Sequence, residues 1–205
     1  MSAGPGPATD AAPPTDADED TPRRRIIRAV LRTVGDQGVG AVSHRQVAAA
    51  AGVSLGTLTY HFKGREDLLR EALRLFSHEE TRRLEAIADE LRAGDRGLED
   101  VGRLIGRAVE GQAEQRQVVA QFELYLHATR DPDLERVVRE GRDAFDRLAR
   151  ELLDRLGVPD AAGLAPIVVA TAEGMALRRL DTGEDTGPAL ARALLLLAAG
   201  AHAAA

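Results

Sequence analysis

Apolar side chains recur at spacings of three and four residues from Thr21 onward, and no stretch alternates with the period of two that a half-buried strand requires. The pattern predicts an all-α protein of about nine to ten helices. Thr21 can cap a helix and Pro22 suits its first position, so a first helix begins there. It presents Ile26, Ile27, Val30, Leu31 and Val34 on one face and is expected to stop at Gly35 and Gly38. Ser43-His44-Arg45-Gln46 fits a capping box, with Ser43 as cap and Gln46 reaching back, and opens a second helix that ends at Gly52. Ser54 caps a third, reaching His61 or Phe62. A fourth starts near Gly64, with Glu66 and Asp67 against the positive end of its dipole and Leu69, Ala72, Leu73 and Phe76 as its apolar stripe. Further helices are expected near 97–113, 115–130, 133–156, 163–181 and 188–203. The breaks fall at Gly94, at Asp131-Pro132, at Gly157 and Pro159, and in the DTGEDTG loop.

Residues 1–20 hold several prolines and almost no large apolar side chain, so burial cannot repay the entropy of ordering them, and a disordered acidic tail is expected. Residues 21–65 then form a first unit and 66–205 a larger helical one. At 205 residues and 44% hydrophobic, the chain can fold on its own core. It has no cysteine, which excludes disulfides, thiolate chemistry and sulfur-based zinc sites. The apolar run near 193–199 is too short to span a bilayer, and the acidic N-terminus is unlike a signal peptide; a cytoplasmic protein without a membrane partner is expected.

Charge changes the picture through its distribution. The net value is −6, and the tail alone contributes five carboxylates, Asp10, Asp16, Asp18, Glu19 and Asp20. Residues 22–65 carry eight basic side chains against Asp36 alone, a net +7. One short basic segment inside an acidic chain points to a face that binds a polyanion. Arg23, Arg24 and Arg25 add to this, because cations in the first turn oppose the helix dipole and need an anion to offset them.

The two short helices at 43–51 and 54–62, joined through Gly52, have the length and punctuation of a helix-turn-helix, whose second helix enters the major groove. Val47, Ala48, Val53 and Leu58 can lock the pair. Arg45 can donate two hydrogen bonds to a guanine, and Thr57 and Thr59 can hydrogen-bond or touch a thymine methyl. Gly56 lets the backbone approach closely, and Ser43, His44, Tyr60, His61 and Lys63 offer donors for phosphates.

The run AGVSLGTLTYHFKGREDLL, preceded by a basic first helix and a capped second one, resembles the DNA-binding domain of the TetR family of transcriptional regulators over about residues 22–75. The resemblance implies that Arg45, Leu55, Gly56, Thr57 and Thr59 approach bases, while Ser43, His44, Tyr60, His61, Lys63 and Arg65 hold the backbone. Leu55 and Gly56 carry no side-chain hydrogen bonds to base edges, so readout leans on Arg45, the threonines and DNA shape. The resemblance also implies a homodimer on a palindromic double-stranded operator, a repressor released by a small molecule, and no cofactor.

The apolar candidates for the effector pocket are Phe76, Leu104, Ala108, Phe122, Tyr125, Leu126, Phe145 and Met175; with few aromatics, such a pocket suits an apolar or amphipathic ligand. For the dimer face, the helix at 133–156 offers a near-heptad seam of Leu134, Val138, Gly141, Leu148 and Leu152, joined by Ile167, Thr171 and Arg178 of the next. Two other classes of function remain open: a helical enzyme using His127, Glu123 or Glu173, and an adaptor whose basic head binds an acidic protein. His78-Glu79-Glu80 lacks a histidine at 82, so a metalloprotease-type zinc helix fails and no metal is expected.

Overall fold

The computed structural model of the protein describes residues 21–93, 115–183 and 187–204. These residues form eight α-helices and one 3-10 turn: α1 (Pro22–Gln37), the turn Val39–Ala41, α2 (His44–Ala51), α3 (Leu55–His61), α4 (Arg65–Ala93), α5 (Gln115–Ala128), α6 (Pro132–Arg155), α7 (Ala161–Thr182) and α8 (Gly187–Ala204). The helix expected near 97–113 lies outside the described residues.

Local chemistry sets most boundaries. Thr21 Oγ1 accepts from the Arg24 amide, Ser43 Oγ from Gln46 and Ser54 Oγ from Thr57, so each of the first three helices carries the side-chain cap read in its sequence. Two expectations at this end are corrected. Gly35 does not stop α1; the helix runs through it to Gln37, and Gly38, at φ 82, ends it by a conformation open to glycine. The capping box is half made, because the Gln46 side chain donates to Gln37 Oε1 at 2.6 Å rather than turning back to its own cap. The turn at 39–41 was not foreseen. Further on, α7 begins at Ala161, two residues before the expected start, because Asp160 adopts a left-handed conformation and accepts from the Gly163 amide; the helix then passes through Pro166.

One apolar core joins α1, α2, α3 and the start of α4 to α5 and the start of α6: Ile26, Val30, Val47, Leu58, Phe62, Leu69 and Leu73 pack with Ala120, Leu124 and Leu134. The basic unit is therefore seated on the larger one through shared side chains. A second cluster, Leu84, Ile87 and Leu91 with Ala144, Leu148 and Leu152, holds α4 against α6, and a third, Ala149, Leu153, Ala165 and Val169, holds α6 against α7. This burial overturns part of the expected dimer seam. Leu134, Leu148 and Leu152 are buried within the chain, and Gly141 is buried beside Ser77, because the apolar stripe of α6 is consumed by α4. Val138 is half-buried against the first core.

Candidate nucleic-acid interface and effector cavity

The α2–turn–α3 unit is held by a short set of contacts. Gly52, in the left-handed region at φ 64, turns the chain, and its amide and that of Val53 bond back to the carbonyls of Ala49 and Ala48. Leu58 and Val47 are fully buried beneath, and Phe62 closes the far end at 1% exposure. With that side fixed, Ser43, Arg45, Leu55, Gly56, Thr59, Tyr60 and Lys63 are all exposed on the other, with His44, Thr57 and His61 half-buried. Tyr60 projects furthest, at 85% exposure, and stacks edge-on with His61 at 5.1 Å.

The arginines of α1 divide. Arg25 is exposed, whereas Arg23 pairs with Glu71 and lies over the Phe62 ring at 5.8 Å. Arg24 turns inward to Glu79 at 3.2 Å with its side chain only 11% exposed, so the anion that offsets the dipole cost is a carboxylate of α4 and Arg24 is given a structural task. Arg65 likewise donates to the Val39 carbonyl at 2.9 Å and pairs with Glu66.

Helix α5 ties the head to the body. Glu123 Oε2 accepts from the Val39 amide at 2.9 Å, beside Gly38, and thereby fixes the 3-10 turn that leads into α2. His127 Nε2 lies 2.8 Å from Glu66, and Arg116 pairs with Asp36 at 2.8 Å. Glu123 and His127 were enzyme candidates; each instead reaches a separate point on the head. At the corner after α5, Asp131 accepts from Arg70 at 2.8 Å and caps α6 through the Asp133 and Leu134 amides, which holds its carboxyl below the usual range. In the His78-Glu79-Glu80 stretch, from which no metal site is expected, both carboxylates form ion pairs: Glu79 takes Arg24 and Arg28, and Glu80 takes Arg83. Among the described residues there is no group of three possible metal ligands.

The opposite side of α5 lines a cavity of about 390 Å³ shared with α6, formed by Phe122, Tyr125, Leu126, Val138 and Arg142 among others. The Arg142 guanidinium lies 5.9 Å from the Tyr125 ring centroid. Burial pushes the Tyr125 phenol up to about 12, and burial also raises Glu173, which Arg142 partly opposes. The other expected pocket residues disperse. Phe76 lines a separate cavity of about 280 Å³ with Arg28, Arg32 and Glu79, between α1, α4 and α5. Phe145 packs into the two clusters that join α6 to its neighbours, Met175 is half-buried on α7, and Leu104 and Ala108 lie outside the described residues. Arg142 of the cavity lining was not singled out in the sequence, and Glu173, on α7 and outside that lining, was legible as an unusual carboxylate in an apolar run.

Residues 26–72 match the family described as bacterial regulatory proteins, tetR family, and residues 94–200 match the tetracyclin repressor-like C-terminal domain. The chain belongs to the TetR family. It is 30% identical to the HTH-type transcriptional regulator BetI of Cronobacter sakazakii over 179 residues, covering 84% of this chain and 86% of that protein. Among solved structures, the multidrug binding protein EbrR complexed with imidazole is 32% identical with a TM-score of 0.63, over 87% of this chain and 95% of that one. A TetR-family member from Streptomyces coelicolor A3 is 32% identical with a TM-score of 0.67, over 86% and 98%. EbrR has also been solved with ethidium. The protein is thus a DNA-binding transcriptional regulator of a non-enzyme family, and the enzyme alternative is set aside.

Proposed function

We propose that this TetR-family regulator is a ligand-responsive repressor that binds a palindromic operator as a homodimer in the cytoplasm and is released by a small organic molecule. The observation that carries the reading is the double role of α5. One side of this helix lines the Tyr125 cavity, and the other side holds the head through Glu123 and His127. A ligand that shifts α5 therefore acts on Val39 and Glu66, the two points from which α2 and α4 set the angle of residues 43–62. A differential affinity of about 1 to 3 kcal/mol changes DNA affinity by roughly 5- to 150-fold. Phe122, Tyr125 and Leu126 suit an apolar or amphipathic ligand, and the complex of EbrR with ethidium supports that class.

The second copy is expected on α7 and α8. Ile167 and Leu177 are 50% and 49% exposed, with Pro166, Ala170 and Gly174 on the same face, and Leu196 of α8 is 64% exposed. By length and composition α7 could also cross a membrane, with 17% of its apolar window buried. An exposed apolar face on a DNA-binding protein is better accounted for by a two-fold partner, which spaces two recognition helices by about 34 to 36 Å or a multiple.

Arg45 is the one cation exposed on the α2 edge of the motif, and it tests the direct-readout part of this proposal. Arg45→Ala is expected to cost about 1 to 3 kcal/mol on the specific site and to relax one base position, with little change on random DNA. Equal losses on both would reassign it to phosphate and overturn that role.

A further inference from the structure

The groove-facing side of α3 has an unusual chemistry. Leu55, Gly56, Thr59 and Tyr60 stand together on it, at positions i, i+1, i+4 and i+5 of one helical face, and all four are exposed, Leu55 at 52%. None carries a side-chain N–H or a carboxamide. The threonine hydroxyls are already engaged: Thr59 Oγ1 donates to the carbonyls of Leu55 and Gly56 at 3.0 and 3.1 Å. Thr57 Oγ1 lies 2.9 Å from Ser54 Oγ, within the cap of the same helix. The hydroxyl left on this face, that of Tyr60, is a single group and cannot supply the forked pair that bidentate recognition of adenine or guanine requires.

Gly56 makes an independent point. Glycine costs roughly 1 kcal/mol relative to alanine in a helix interior and less in the first turn, where Gly56 stands, but in neither place does it favour the helix. Nothing among the described residues requires it. A Cβ there would meet only Ser54 Oγ, at an ordinary 3.6 Å, and the backbone conformation is plain helix. The bare surface faces outward, where it shortens the distance at which the helix can approach another molecule.

We infer that α3 reads its operator through thymine C5-methyl groups, with the Leu55 side chain and the Thr59 γ-methyl as the contacting surface and Gly56 as the clearance that lets them reach it. The thymine methyl is the apolar feature among the major-groove edges, and an apolar surface desolvated against it gains what a hydrogen-bonding base edge would lose. Arg45, on α2, supplies the hydrogen-bonded position beside it. This inference rests on the reading that α3 enters the major groove, and the experiment separates the two.

A selected operator duplex is resynthesised with each thymine replaced singly by deoxyuridine, which deletes the methyl and leaves every hydrogen-bonding group in place. Affinities are measured with the full-length protein and with Leu55→Ala and Gly56→Ala. The expected result is a loss of about three- to fivefold at one or more defined thymines in each half-site and none at the rest. Leu55→Ala abolishes the loss at one of those positions. Gly56→Ala lowers specific affinity while leaving the thermal midpoint unchanged or higher. Equal affinity for every deoxyuridine duplex, or a small loss spread evenly over all thymines, overturns the inference while leaving sequence-specific binding intact. Failure to select any preferred sequence would instead strike at the groove reading itself.

Discussion

Arg24 and Arg25 are neighbours with different work. Arg24 is turned to Glu79 with its side chain nearly buried, and Arg25 faces solvent on the same basic helix. Arg24→Ala should lower the thermal midpoint and leave the salt dependence of DNA binding unchanged. Arg25→Ala should do the reverse, reducing the slope of log affinity against log salt by about 1 at unchanged stability, as loss of one phosphate contact requires. Glu173 gives a pH-dependent case. Burial raises its carboxyl above the usual range, so the folded protein holds this proton more tightly than the unfolded chain and pays for ionisation as pH rises. Glu173→Gln should therefore melt higher than the parent at pH 7.5. The difference should shrink as pH falls through the raised value and vanish below the unfolded one, and a gap independent of pH would mean that Glu173 is not penalised by ionisation. What sequence shows at this scale is residue type: Arg24 and Arg25 look identical there, because the carboxylate that separates them comes from 55 positions away.

At the scale of elements, the caps were legible and the close approaches were not. Thr21, Ser43 and Ser54 act on amides three residues ahead, so local sequence contains their whole interaction. Gly35 depends on a distant partner. It sits inside α1 because α5 crosses there, and a Cβ on it would overlap the Arg116 backbone oxygen and side chain. Propensity alone marks Gly35 as a helix stop, and this tertiary contact overrides it. Gly35→Ala should consequently destabilise the protein by about 1 to 3 kcal/mol by overpacking, despite its better helix propensity. Stabilisation in a denaturant titration would show that α5 can retreat without cost. The apolar stripe of α6 misled in a related way. Its period named a buried face correctly, but Leu134, Leu148 and Leu152 are covered by the chain's own α4 and the first core, and periodicity does not say whose side chains cover a stripe.

For the whole molecule, the basic segment at 22–65 is seated on an acidic body through a shared core and a few polar ties from α5, an arrangement suited to passing a displacement from the cavity to the DNA-facing edge. The sequence motif at 53–69 was specific enough to identify the head, while the effector residues scattered over two cavities and the α6–α7 packing because apolar character alone does not separate pocket from core. Dimerisation belongs to this scale. Ile167→Glu with Leu177→Glu should leave a folded monomer in sedimentation velocity and weaken operator binding on the order of a hundredfold, the avidity of one half-site for the other being lost. A dimer that persists would move the interface off α7. The most direct measurement is selection of bound fragments from the source genome by the full-length protein in excess competitor DNA. A two-fold regulator enriches one palindromic sequence whose half-sites lie one helical turn or a multiple apart, and enrichment of none, or of fragments without two-fold symmetry, would contradict that assignment.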